Sequence, residues 1–407
     1  MKTQHLQAER QGKTWLNLAL SLVLAVASAC GTGGGAPLVA PTMLPDFESA
    51  AAAAASASPI SVTFNQTYKE RIDLNEPIAR RSAINTDKSL FKVIKAAQST
   101  LDGAFYDIED PGVVDALIEA KERGVTVRLV TDNANLVEKH DPSKPRAAIV
   151  ALKQAGIKIV DDNRSAIMHH KFLVADTSVV WTGSTNLTPT SLYRHNNNAV
   201  VLRTVPVAKA FTEEFNRLFV KHQFGISDRG RIAPLPAFQV GGAEVRVFFS
   251  PGGSGREAVV AELAAAKKSI QFMTFSLTDP TIGQTMADKA TAGVAVSGIF
   301  DRWLAGGKYS LFNAFKSEKM IIQKDGNEAL MHHKVIIVDG TTVISGSYNY
   351  SQNAEMNNNE AFLIVKRAPS FANAFEGEFK KLQQAAKVNR PPPYKPKDAE
   401  IGTVENP

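Results

Sequence analysis

Cysteine is nearly absent: Cys30 is the only one in 407 residues. A chain with one cysteine forms no internal disulfide, so its stability must come from core packing. Beyond the N-terminus long apolar runs are also missing, and the stretch from Leu16 to Val26 is too short to cross a bilayer. Lysine and arginine nowhere gather into a basic run, and no series of aromatics offers a stacking platform for bases. Basic side chains number 46 against 40 acidic ones, a formal charge of +6. Residues 1–29 hold Lys2, Arg10 and Lys13 against Glu9, so their loss would leave +4. That weak excess is compatible with an anionic substrate without arguing for one. The hydrophobic share of 44% and charged share of 21% are those of a soluble globular protein.

The N-terminus has its own logic. Lys2, Arg10 and Lys13 precede the apolar stretch, and Ala27, Ser28 and Ala29 come after it. This is the pattern of an export signal over residues 1–29. Cys30 comes directly after those small residues, which resembles the cleavage box of bacterial lipoproteins. The expectation is a lipid on Cys30 and a place in the bacterial cell envelope. A plain signal cut near Ala29, and secretion, is the other reading. Residues 30–60 carry glycines from Gly31 to Gly35, scattered prolines and the alanine run Ala50 to Ala55, which read as a flexible tether.

Internal repetition is the informative feature. Met168 to Asn186 matches Met331 to Asn349 at nine of nineteen positions without a gap, at an offset of 163. Upstream the offset is 169: Asp110 corresponds to Asp279, Gly124 to Gly293 and Asp132 to Asp301. Strands are expected at Ala104–Tyr106, Val125–Val130, Lys158–Val160, Lys171–Ala175 and Val179–Thr182, with a helix from Pro111 to Arg123. The second half repeats them at Ile270–Phe275, Val294–Phe300 and Lys334–Val338, with a helix from Pro280 to Thr291. Strands alternating with helices imply an α/β fold, two α-β-α halves with mixed sheets about a pseudo-twofold axis. The halves are expected at 61–221 and 245–386, with a linker at 222–244 and a poorly ordered tail at 387–407.

Each copy carries H-x-K-x4-D-x6-G-S-x-N. His169 and Lys171 are two apart and share one face of a strand, while His170 points to the other. Ser184 and Asn186 come next, again two apart, and His332, Lys334, Ser347 and Asn349 repeat the set. A phosphate needs cationic and neutral donors around its oxygens and a nucleophile in line. Two copies brought together supply two imidazoles, two ammoniums and two sets of neutral donors. One histidine can attack phosphorus while the other protonates the leaving alkoxide and then activates water. If Lys171 and Lys334 neutralise the phosphate, no metal and no cofactor is needed. Asp132 and Asp301, at strand ends, read as loop caps.

The doubled motif resembles the phospholipase D superfamily, with the likeness running from about Leu90 to Leu382. The resemblance implies a phosphodiesterase in which His169 is the nucleophile and His332 the general acid, with Asp176 and Asp339 organising a loop. It further implies a carboxylate after each motif that orients a catalytic histidine. Here the runs are Asn196-Asn197-Asn198-Ala199 and Asn357-Asn358-Asn359-Glu360. Pairing Ala199 with Ala361 puts Asn198 opposite Glu360. The expectation is then Glu360 on His332 and Asn198 on His169, each serving its own half; turn chemistry is the plainer reading of both runs. Expected partners are a phospholipid, with a membrane reached through the lipid anchor. A metal-independent endonuclease acting on nucleic acid is the alternative, and a non-catalytic binding protein a third. The chain is expected to be a monomer.

Overall fold

The helix Pro111–Glu122 shows how the sequence writes this fold. Asp110 caps it by accepting from Val113 N at 3.1 Å, and proline opens it. Val113, Val114, Leu117 and Ala120 form its buried face, and Gly124 ends it at a φ of 92° that a residue with a side chain rarely adopts. Asp279 caps Pro280–Thr291 in the same way in the second half.

The computed structural model describes residues 58–65, 85–316, 319–327 and 329–388. The expected export signal, Cys30 and the expected tether up to residue 57 lie outside the described residues, as does the expected tail from 389. The first sheet is built from β1 (Ile60–Phe64), β2 (Thr100–Phe105), β3 (Thr126–Thr131), β6 (Lys158–Asp161), β7 (Lys171–Ala175), β8 (Val179–Gly183) and β9 (Asn198–Arg203), while β4 (Val137–Glu138) and β5 (Asp141–Pro145) form a separate hairpin. Its order is β1-β9-β8-β7-β2-β3-β6. Strands β2, β3 and β6 are parallel; the other neighbours are antiparallel.

The second sheet comprises β10 (Phe238–Val240), β11 (Ala243–Ser250), β12 (Ser269–Thr274), β13 (Ala295–Phe300), β14 (Met320–Lys324), β15 (Lys334–Val338), β16 (Thr342–Gly346) and β17 (Glu360–Lys366). Its order, β10-β11-β17-β16-β15-β12-β13-β14, repeats the first with β10 added at the edge. The stretch 222–244, read as a linker, thus holds β10, the start of β11 and the short helix Ile226–Arg229. The mixed α/β architecture in two halves is the one expected.

Two helices absent from the expected elements, Val205–Phe219 and Pro369–Val388, lie between the sheets. They make one core shared by both halves. Phe172 and Val174 of β7 face it, as do Val335 and Ile337 of β15, while Leu173 and Ala175 face an outer core under the helices of the first half. Phe211 joins the two sheets, its ring 5.1 Å from both Phe172 and Phe249. Burying such a ring contributes about 2–3 kcal/mol. His170 and His333 also face this shared core. His170 Nε2 lies 3.1 Å from Glu214 Oε1, and His333 Nε2 lies 3.6 Å from Glu378 Oε1. Both carboxylates come from the two middle helices, so these histidines hold the layers together. Among the described residues, no helix is long and apolar enough to cross a membrane.

Candidate active site

Strands β7 and β15 deliver the two histidine–lysine pairs. Lys171 and Lys334 open the strands, and each Nζ donates to the carbonyl of His169 or His332 at 3.0 Å. Both ammonium groups are buried. Tyr106 packs edge-on to His169 at 5.2 Å and Phe275 to His332 at 4.7 Å, symmetry mates that wall the two imidazoles.

The motif aspartates sit at the other end of the strands, roughly 20 Å away along the chain at about 3.3 Å per residue. Asp176 and Thr177 have φ of 50° and 51°, Asp339 and Gly340 of 53° and 65°, which makes both hairpin turns type I′. Asp176 accepts from the backbone N–H groups of Gln98, Ser99 and Thr100. Asp339 accepts from those of Lys267, Lys268 and Ser269, and these bonds hold its carboxyl below the usual range against the opposing effect of burial. Neither aspartate belongs among the groups that meet substrate. Asp339→Ala should therefore lower stability by about 1–2 kcal/mol, the worth of these partly exposed bonds. A denaturant titration reads that loss, and kcat should change less than about threefold.

Main-chain bonds bring the halves together. His169 N donates to Asn359 O at 2.9 Å and Asn359 N to Ile167 O at 3.0 Å; His332 N donates to Asn196 O and Asn196 N to Leu330 O, both at 2.9 Å. Each motif is thus stitched to the asparagine run of the other half. Asp132 and Asp301 cap their loops as expected and also accept from Met168 N and Met331 N at 2.9 Å, just ahead of each histidine.

The expected histidine partners are wrong in two ways. Glu360 serves His169 of the opposite half, with both carboxylate oxygens 2.8 Å from Nδ1. The amide facing His332 is Asn197, not Asn198: Asn197 Oδ1 and Ser184 O both lie 3.0 Å from His332 Nδ1. The alignment that pairs Ala199 with Ala361 slips by one residue. Gly183 pairs with Ala199 while Gly346 pairs with Phe362, which sets Asn197 opposite Glu360. These glycines are needed, because a Cβ on either would strike the carbonyl of Asn198 or Ala361. Asn198 turns elsewhere: its Nδ2 lies 2.9 Å from His333 Nδ1 and its Oδ1 accepts from Ser345.

Ser184 and Ser347, expected to bind substrate, brace the partners instead. Ser184 Oγ donates to Asn197 Oδ1 at 2.7 Å, and Ser347 Oγ donates to Glu360 Oε2 at 2.5 Å. Asn186 and Asn349 stay open to a ligand, since Oδ1 of each has no partner among the described residues. Both neighbours of His332 Nδ1 are acceptors, so Nδ1 carries the proton and Nε2 is left for the site. Asn197 cannot be flipped, because its Nδ2 donates to Ser191 O at 2.9 Å. A carboxylate there would confront that carbonyl, which is a physical reason for an amide at this position.

Burial dominates the electrostatics. It drives the His169 and His332 imidazoles well below their usual range, and the nearby lysines push the same way. It also takes Lys171 down to about 7, with Glu360 the strongest opposing charge, and takes Lys334 well below its usual range, with Lys171 pushing the same way. Glu360 is pushed up to about 8, with Lys171 opposing. The arrangement can cradle one phosphodiester anion between two ammoniums, with an imidazole on each side. A lysine with a lowered pKa is charged only below that value. The alkaline limb of kcat/KM should therefore begin near pH 7 instead of above 10. An acid limb should report proton loss from the Glu360–His169 pair. A bound anion raises the lysines, so the alkaline limb of kcat should lie higher. A kcat/KM flat to pH 9 would contradict this.

The family described as cardiolipin synthase, PLD-like domain, matches residues 90–219 and 259–383, more than half of the chain and both halves of the site. A mitochondrial cardiolipin hydrolase of Xenopus laevis is 32% identical over 126 residues, 31% of this chain and 57% of that protein. A phospholipase D of Rickettsia bellii is 26% identical over 130 residues, 32% of this chain and 65% of that protein. The chain spans a little over half the length of the curated relatives it matches. The crystal structure of phosphatidylserine synthase from Haemophilus influenzae shares the fold, with a TM-score of 0.61 at 12% identity over 80% of this chain and 86% of that one. With both motif copies meeting at one centre on this fold, the chain belongs to the phospholipase D superfamily.

Proposed function

We propose that the protein is a phospholipase D-type phosphodiesterase that cleaves phospholipid head groups through a phosphohistidine. The observation that carries this is the unequal support of the two imidazoles: a carboxylate behind His169 and only carbonyl oxygens behind His332. His169 Nε2 attacks phosphorus and the bond to the leaving oxygen breaks. The ring becomes cationic, and Glu360 at 2.8 Å stabilises that charge most in the transition state. The bound diester anion draws the His332 pKa back up, and His332, as imidazolium, gives its Nε2 proton to the leaving alkoxide. An amide stabilises imidazolium less than a carboxylate does, which makes His332 the readier donor. Neutral His332 then takes a proton from water, whose oxygen attacks phosphorus and frees His169. Lys171 and Lys334 hold the non-bridging oxygens throughout.

The lipid reading is supported by the names of the relatives, a cardiolipin hydrolase and a phospholipase D, and by the export pattern at the N-terminus. Lipid on Cys30 would keep the enzyme in the cell envelope beside its substrate. Among the described residues no three His, Cys, Asp or Glu side chains group as ligands for a metal ion. The test is release of head group from labelled phosphatidylcholine or phosphatidylglycerol vesicles in chelator, with plasmid DNA in parallel. Lipid turnover without nicking is the expected result, and nicking without lipid turnover would replace the reading with the endonuclease.

A further inference from the structure

His195 has no role in the chemistry above and no counterpart in the other half, where the position at the same offset of 163 is Asn358. Its backbone is held firmly. Its N–H donates to Thr190 O at 3.1 Å, and its carbonyl accepts from Asn65 Nδ2 at 3.1 Å. The preceding carbonyl of Arg194 accepts from Asn327 Nδ2 of the other half at 3.0 Å. The side chain is only 6% exposed, and its ring centre lies 5.8 Å from that of His332. Yet neither Nδ1 nor Nε2 has a hydrogen-bond partner among the described residues. Buried polar atoms are as a rule paired, and an unpaired one set beside a catalytic group points to a ligand that completes it.

The chemistry of that ligand comes from the ring. Burial first, then Lys334 and Arg194, take the imidazole down to about 3, so it is neutral at working pH. A neutral imidazole offers one N–H and one lone pair. A hydroxyl can use either or both, whereas a trimethylammonium group can use neither. The same Lys334 and Arg194 charges disfavour a cationic head group here. We propose that His195 is a specificity-determining residue that hydrogen-bonds a hydroxyl of the leaving alcohol, so that the site prefers diesters whose leaving group is a polyol such as glycerol. The proposal rests on the reading that His332 protonates the leaving oxygen.

Phosphatidylglycerol and phosphatidylpropanol carry the same charge and differ only in head-group hydroxyls, which makes them the test pair. The wild-type protein should favour the glycerol ester in kcat/KM by about tenfold, the size of one net hydrogen bond. His195→Phe should remove that preference and His195→Gln should recover part of it. Equal wild-type rates on the two lipids would overturn the proposal. So would a His195→Phe variant that loses both activities in proportion, since the ring would then only pack against His332. If the wild type cleaves neither lipid but does cleave bis(p-nitrophenyl) phosphate, the lipid reading fails by itself. Glyceryl methyl phosphate against propyl methyl phosphate then decides His195 by the same ratio.

Discussion

His332→Ala is expected to release one equivalent of p-nitrophenol per site from bis(p-nitrophenyl) phosphate and then stall, while His169→Ala releases none. The leaving nitrophenolate needs no proton, so attack by His169 proceeds without the acid. The second step still needs His332 to activate water, and the phosphohistidine accumulates. On a lipid, whose alkoxide must be protonated, either variant should lose about 10⁴-fold or more in kcat, because the two imidazoles act as one unit. Loss of one histidine therefore abolishes turnover instead of halving it, although each sits in its own copy of the motif. Stopped-flow absorbance resolves the burst. A burst from His169→Ala and none from His332→Ala would reverse the roles.

Glu360→Gln should cost about 10²–10³-fold in kcat, in the range of losing one preorganised charge at a reacting centre. The amide keeps the bond to His169 Nδ1 but cannot balance the cation formed when Nε2 bonds to phosphorus. KM should change little, since Glu360 touches the histidine and Ser347 instead of the lipid. The acid limb of kcat/KM should flatten in the variant, because the Glu360–His169 pair that it reports has lost its carboxyl. A purely structural role would lower stability and leave the limb in place.

The strands and turns of this site were legible because period-2 alternation and helix caps are local. Lys171–Ala175, Lys334–Val338 and Pro280–Thr291 fall where the pattern put them. The two middle helices escaped because their apolar faces make sense only once both sheets are known to pack on them. The identity of the four histidine and lysine side chains was readable, but their partners were not. Nothing local tells that Glu360 crosses to His169, since the crossing is set by main-chain bonds from His169 to Asn359 and from His332 to Asn196. The offset of 163 that relates the motifs continues through the asparagine run, and it sets Asn197, not Asn198, against Glu360. The serines misled because a hydroxyl beside a phosphate site reads as a ligand, whereas here each braces a histidine's partner. His195 carries no motif at all, and only its burial without partners marks it.

The proposed cycle turns on a covalent bond between phosphorus and one particular imidazole. Rapid acid-free quenching with ³²P-labelled phospholipid, then digestion and peptide mapping, tests it most directly. The predicted result is an acid-labile label on His169, more of it in His332→Ala than in the wild type. Label on His332, or a turning-over enzyme that never carries label, would contradict it.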